Sequence, residues 1–154
     1  MAKPDTDLAR QAETLFPSGP WRGYFVYKER PGRFKMDLDL RFATGVVQGS
    51  GSDGVGNFTI RGSYNVESLE VTWLKSYAAH TVSYRGFREG RGIWGTWQIR
   101  PDWTGGFMIW PKGKGEAAQE RAYEEAQEPE PAFAAGPGAA PLTKTHADIR
   151  NGLA

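Results

Sequence analysis

Lys35-Met36-Asp37-Leu38-Asp39-Leu40-Arg41-Phe42 is the stretch of sequence that decides the fold. Apolar side chains at positions 36, 38, 40 and 42 alternate with charged side chains at the positions between them. Successive side chains of a strand point to opposite faces, so this period of two predicts a β-strand with one buried face and one solvent face.

The same alternation continues on both sides of this stretch. It predicts strands over residues 21–28, 35–42, 46–50, 58–64, 69–77, 80–87, 92–100 and 106–110. The links between them are too short to hold a crossover helix, so consecutive strands form hairpins. An open sheet of eight strands leaves two exposed edges, and closing the sheet removes both. We therefore expect an all-β fold, an eight-stranded antiparallel up-and-down barrel.

The flanking segments differ in composition from the barrel. Residues 1–18 form an N-terminal helix and linker, with apolar positions over 5–16 sharing one helix face, and residues 19–111 form the barrel domain. Residues 112–128 form a short helix, because the run EAAQERAYEEAQ favours helix. Residues 129–154 are rich in Ala, Gly and Pro and are expected to be a disordered tail. The barrel thus carries short terminal helices.

Composition excludes several classes of function. The chain has 154 residues, no Cys and a formal net charge of +1. The absence of Cys excludes disulfides and thiolate metal sites, and the weak net charge argues against a nucleic-acid partner. No segment has the apolar length of a secretory or membrane-spanning segment. We expect a cytoplasmic protein with no membrane partner and no cofactor.

Residues 49–54 read Gly-Ser-Gly-Ser-Asp-Gly and match the pattern G-x-G-x-x-G. A dinucleotide-binding loop requires a helix after the last Gly, whereas the strand pattern of residues 58–60 follows here. The spacing of a calcium-binding loop is also absent. We expect a mobile hairpin loop between the third and fourth strands.

His80 is the only histidine inside the predicted barrel, and one histidine cannot form a zinc site without further nitrogen or sulfur ligands. It is expected to be a hydrogen-bonded residue at a hairpin. An enzyme that uses His80 with Tyr84 or Asp53 as acid and base is the less favoured alternative. A cluster of arginines on neighbouring strands is either a solvated surface or a small anion-attracting patch; it comprises Arg85, Arg88, Arg91 and Arg100.

All six Trp lie between Pro20 and Pro111, and this aromatic content has two interpretations. The aromatic side chains either fill the interior of the barrel or line a cavity that holds one small molecule.

The run Val55-Gly-Asn-Phe-Thr-Ile-Arg-Gly-Ser-Tyr64, and Val71-Thr-Trp-Leu-Lys-Ser-Tyr77 after it, resemble strands of the avidin and streptavidin family. Gly95-Thr96-Trp97 resembles the strand that supplies a later pocket Trp in that family, and Gly19-Pro20-Trp21 is similar to the start of the wider calycin barrels. The resemblance implies that Trp73 and Trp97 are ring-stacking walls.

The resemblance also has departures. Thr81 and Ser83 fall at the family's hydroxyl donors, but Arg85 stands where another Trp is expected. Residues 21–25 lack the Asn and Ser that bind the ureido oxygen of biotin, and the late Asp is missing.

These observations together predict a non-enzymatic barrel that binds a partly apolar or aromatic, or anionic, small molecule. The expected ligand-binding residues are Trp73, Trp97, Tyr64, Thr81, Ser83, Arg85 and His80, with no catalytic and no metal-binding residue. The alternative is a protein-interaction or self-associating scaffold module, a homo-oligomer included, with exposed Trp94, Trp103 or Tyr24 as its contact patch.

Overall fold

A computed structural model describes residues 4–127 of the chain, with side chains described from residue 9 onward. Helix α1 spans Pro4–Leu15, and helix α2 spans Ala117–Glu125. The strands are β1 (Gly19–Tyr27), β2 (Arg30–Ala43), β3 (Val46–Asp53), β4 (Asn57–Tyr64), β5 (Glu70–Ser76), β6 (Thr81–Glu89), β7 (Gly92–Arg100) and β8 (Trp103–Pro111). The predicted tail over 129–154 lies outside the described residues.

The eight strands form a closed barrel in which each strand pairs with its neighbours in chain order. Pairing of β1 with β8 is antiparallel, like every other pairing, and it closes the sheet. The prediction of an all-β, eight-stranded antiparallel up-and-down barrel with two short helices is confirmed. The alternation in β2 is also confirmed, because Met36, Leu38, Leu40 and Phe42 are buried inside the barrel.

The predicted hairpin loop over residues 49–54 is wrong in its extent. Residues 49–53 belong to β3, and the connection to β4 is reduced to residues 54–56. The glycines permit a close approach of β2 and β3: a Cβ on Gly49 would lie 2.0 Å from the carbonyl oxygen of Asp39. Gly49 is therefore explained by the close contact between two neighbouring strands and not by a mobile loop.

The two ends of the barrel differ. The capped end contains the β2–β3, β4–β5 and β6–β7 connections, and α1 lies there. The ring of Phe16, just after α1, packs 5.4 Å from that of Phe42 and 4.9 Å from that of Tyr64. The far end contains the other four connections, including residues 54–56 and 77–80. The end of α1 and the residue after it therefore pack against the capped end of the barrel.

Helix α2 packs on the outside of the barrel through Glu120. The carboxylate of Glu120 accepts hydrogen bonds from Arg22 Nη2 at 2.6 Å and from Trp110 Nε1 at 3.1 Å. Beyond the helix, Gln127 pairs with the free edge of β2: its N–H donates to the carbonyl of Arg33 at 2.6 Å, and its carbonyl accepts from the N–H of Lys35 at 2.8 Å. This pairing fills the part of β2 that extends past the end of β3.

Candidate functional site

The interior of the barrel is filled by its own aromatic side chains. Trp73 stacks on Tyr84 with ring centroids 6.0 Å apart, and both rings contact Phe107, at 5.9 and 4.9 Å. Trp97 is also interior, and its Nε1 donates to the carbonyl of Val26 at 3.0 Å. The two predicted wall residues therefore do face inward, but they pack against neighbouring rings.

A buried ion pair lies within this aromatic interior, close to the far end. Lys75 shares the inward face of β5 with Val71 and Trp73, and Asp53 is the last residue of β3. Lys75 Nζ lies 2.8 Å from Asp53 Oδ2, and the two side chains are only 1% and 0% exposed. This is the one ion pair between two fully buried side chains in the part of the chain that the structure describes.

Aromatic rings surround the ammonium group of Lys75. The Nζ atom lies 4.4 Å from the ring centroid of Phe58, 4.9 Å from that of Phe25, 5.1 Å from that of Tyr77 and 5.5 Å from that of Tyr84. Each ring presents the negative face of its quadrupole to the cation, so the rings replace part of its lost hydration. We call Asp53, Lys75, Tyr77, His80 and Tyr84 the far-end cluster.

Asp53 connects this cluster to the β3–β4 connection. Its Oδ2 accepts from Lys75 and, at 2.6 Å, from the hydroxyl of Tyr77. Its Oδ1 accepts from the backbone N–H groups of Val55 at 2.8 Å and Gly56 at 3.3 Å. Four donors thus saturate the carboxylate of Asp53. Because Asp53 binds both Lys75 and the β3–β4 connection, a movement of the Lys75 side chain also affects that connection.

Burial governs the titration of the cluster. Loss of hydration lowers the pKa of Lys75, and the charge and hydrogen bond of Asp53 offset this only in part. Burial raises the pKa of Tyr77 and of Tyr84 well above the usual tyrosine value, and the charge of Asp53 adds to the effect. Both tyrosines therefore stay neutral hydroxyls around neutral pH.

Two hydrogen-bond donors in this interior are not used by the described residues. The indole Nε1 of Trp73, a residue only 3% exposed, has no acceptor among the described residues. The Tyr84 hydroxyl accepts from Lys75 at 3.4 Å, which leaves its own proton for another acceptor. Lys75 Nζ also donates to the weak sulfur acceptor of Met36, at 3.7 Å, so all three of its N–H groups have acceptors. Trp73 Nε1 and the Tyr84 hydroxyl therefore each keep a proton that could meet an additional acceptor.

The structure separates the other predicted ligand-binding residues. His80 lies at the far end, where its ring stacks on Tyr77 with centroids 4.7 Å apart. Tyr64 packs under α1 at the capped end, so it is not a wall of the same site.

Thr81, Ser83 and Arg85 do not face the interior with Trp73 and Trp97. All three are exposed on the outer face of β6, because alternation along the strand turns Val82 and Tyr84 inward instead. Arg85 forms an exposed ion pair with Glu70. Ser83 and Arg85 line a groove of about 540 Å³ on the outside of the barrel, together with Arg61, Leu74 and Gln98. Trp73 and Trp97 also border this groove, so it brings together four of the predicted ligand-binding residues.

Sequence reasoning missed Lys75 and Tyr77 and gave Asp53 only a minor role. The alternation that places Trp73 inside also places Lys75 inside, so the signal was present in β5. The partner of Lys75 is 22 residues away and could not be found without the pairing of β3, β4 and β5. Among residues 4–127, no group of three or more His, Asp or Glu is placed to hold a metal ion.

The closed eight-stranded antiparallel barrel is consistent with a calycin-like fold. Comparisons of the chain with protein-family models, with curated proteins and with solved structures gave no match. Neither described helix has the length and apolar character needed to cross a membrane.

Proposed function

We propose that this protein is a non-enzymatic small-molecule-binding barrel whose ligand enters at the far end and contacts the far-end cluster and Trp73. The observation that carries the proposal is the buried Lys75–Asp53 pair, enclosed by four aromatic rings. The similarity of the segments around Trp73 and Trp97 to pocket strands of the avidin and streptavidin family supports the same class of function.

The pair is hard to explain by stability alone. Transfer of two charges into a low-dielectric interior costs several kcal/mol per ion, and well-packed apolar residues of similar volume are often as stabilising or more so. All neighbouring interior positions of β5 and β6 are apolar or aromatic, so Lys75 is the exception. Buried titratable groups with perturbed pKa values concentrate at functional sites.

The unused donors indicate the chemistry of the ligand. Asp53 is saturated and Lys75 already donates three hydrogen bonds, whereas Trp73 Nε1 and the Tyr84 hydroxyl can each still donate. A ligand that satisfies them carries an oxygen acceptor such as a carbonyl or carboxylate, attached to an apolar or aromatic body that stacks on the rings. Thr81, Ser83 and Arg85 have no part in this contact because they lie outside the barrel.

In this proposal, the ligand enters at the far end. A groove of about 720 Å³ is lined by Gly51, Phe58 and Tyr77, among others, and the last two also contact Lys75. Because the interior is filled, binding requires these two rings and the connection over residues 54–56 to move. Asp53 holds that connection, so rearrangement of the Lys75–Asp53 pair and opening of the mouth are coupled.

Native mass spectrometry of the full chain, purified from the cells that make it, tests the proposal directly. We expect a co-purifying small molecule that is retained by the native protein and by the outer-face control Arg85→Gln. Trp73→Phe, which removes the unused N–H, and Lys75→Met should lose it. The proposal is refuted if the native protein and all three variants retain the molecule. It is also refuted if no molecule is bound and a thermal-shift screen of small carbonyl and carboxylate compounds gives no hit.

A second candidate function is a protein-interaction or self-associating module, favoured by one surface. Phe87 and Trp94 are directly paired across β6 and β7 and remain 40% and 44% exposed. A hydrogen bond from Trp94 Nε1 to Glu89 at 2.7 Å fixes the orientation of the indole. Of the other two aromatics expected on such a patch, Trp103 is buried and Tyr24 is half-buried. Light scattering of the native protein and of Trp94→Gln tests this candidate: an assembly that Trp94→Gln disrupts supports it, and a monomer that captures no partner argues against it.

A further inference from the structure

A groove at the capped end concentrates positive charge. It has a volume of about 570 Å³ and lies between α1, the β6–β7 connection and the end of β8. Its lining includes four cations, Arg10, Arg88, Arg91 and Lys114, and one carboxylate, Glu13. The cations come from three separate parts of the chain, so only the folded barrel assembles them. We call this set the capped-end groove.

The charges of this groove are not neutralised within the described chain. None of the four groove cations forms an ion pair with a described side chain, whereas Arg22, Lys75, Arg85 and Arg100 each pair with a carboxylate. The predicted arginine cluster is thereby divided: Arg85 and Arg100 have partners on the outer face, while Arg88 and Arg91 lie in the groove. Four cations beside one carboxylate leave a strongly positive concave surface, whose low-dielectric walls focus its field.

Arg88 is held in position at this groove. Its guanidinium donates to the carbonyl of Leu15, at the end of α1, and to the carbonyl of Gly90. Burial lowers the pKa of Arg88, and no neighbouring anion opposes that effect. A cation fixed by backbone carbonyls is pre-organised, so little side-chain entropy is lost when an anion binds beside it.

We propose that the capped-end groove binds the phosphate group of a small, soluble phosphorylated molecule. Guanidinium groups form paired hydrogen bonds with phosphate oxygens, and lysine adds a point charge, so this combination suits a phosphate dianion. The volume falls within the usual range of small-molecule sites. The site lies at the opposite end from the far-end cluster and does not depend on the function proposed for that cluster.

Calorimetric titration of the full chain with pyrophosphate and with ADP tests the proposal, with sodium chloride and succinate at matched ionic strength as reference solutes. Arg91→Gln and Lys114→Gln remove exposed groove cations. Arg41→Gln and Arg61→Gln remove exposed cations elsewhere on the barrel and serve as matched controls. Arg88 is left intact because it also holds α1.

We expect each groove variant to weaken binding of pyrophosphate and ADP by about tenfold, and the controls to bind as the native protein does. Equal affinity in all variants, or succinate binding as tight as pyrophosphate, would overturn the proposal. A parallel experiment measures co-sedimentation of the protein with phosphatidic acid vesicles. If the protein co-sediments with the vesicles and does not bind ADP, the ligand is a lipid headgroup and the proposal of a soluble ligand is overturned.

Discussion

Replacement of Lys75 by Met isolates the energetics of the buried ion pair. Met retains an unbranched chain of similar length, so the substitution removes the charge and leaves little cavity. The carboxylate of Asp53 is then buried without its cation, although the Tyr77 hydroxyl and two backbone N–H groups still donate to it.

The expected cost follows from that geometry. Removal of one partner of a buried ion pair costs about 3–5 kcal/mol, because the remaining charge is uncompensated. The three remaining donors place Lys75→Met at the lower end, at about 3 kcal/mol. Asp53→Asn alone should cost a similar amount, because it leaves the buried ammonium without its counter-charge. In the double variant both charges are absent, and we expect its stability to lie within about 1 kcal/mol of the native value.

Urea unfolding, followed by tryptophan fluorescence and by far-UV circular dichroism, measures these free energies. The two single variants and the double variant form a cycle, and we expect a coupling of at least about 2 kcal/mol. Lys28→Met, at an exposed lysine beside β1, is the matched control and should change stability by under about 0.5 kcal/mol. Additive single effects, or a cost under about 1 kcal/mol for Lys75→Met, would show that the pair is neither desolvated nor coupled as described.

Three further predictions concern packing, the outer helix and pH. Gly49→Ala should cost at least about 2 kcal/mol, because its Cβ would lie 2.0 Å from a backbone oxygen, whereas Gly106→Ala, whose nearest contact is 3.4 Å, should be tolerated in the same urea assay. Glu120→Ala should cost about 1–2 kcal/mol and alter the emission of Trp110, and exposed Glu124→Ala should do neither. The raised pKa values of Tyr77 and Tyr84 mean that the folded state keeps protons that the unfolded state loses, so their stability contribution is complete below about pH 10 and falls as pH rises beyond it. Tyr77→Phe should lose less stability at alkaline pH than the native protein does. An equal or larger loss in Tyr77→Phe would contradict this prediction.

Alternation and the glycines predicted the barrel because both are local signals. The period of two in β2 requires only the strand itself, and short connections require hairpins whatever the partner strands are. The boundary errors are also local. Residues 49–53 contain the residue types of a turn, but the close approach of the backbone of Asp39 explains the glycine at position 49.

The candidate site was predicted much less well, because it depends on pairs that are distant in sequence. Thr81 and Ser83 were assigned by family resemblance, and the alternation within β6 turns both of them, like Arg85, to the outer face. The pattern in β5 could have placed Lys75 inside, but its hydrogen bond to Asp53 crosses two strand pairings. Alternation determines which face a residue occupies, whereas the register between strands determines which residue it meets.

The residues that the fold requires at positions 53 and 75 need not be charged. Barrel closure requires an inward residue of suitable size at position 75, and Met or Leu would meet that requirement as well as Lys. The turn after β3 requires an acceptor for the N–H groups of residues 55 and 56, and Asn would supply it without a charge. Lys75 and Asp53 therefore add two charges that neither packing nor turn geometry needs. We attribute their presence to the ligand contact proposed for the far end.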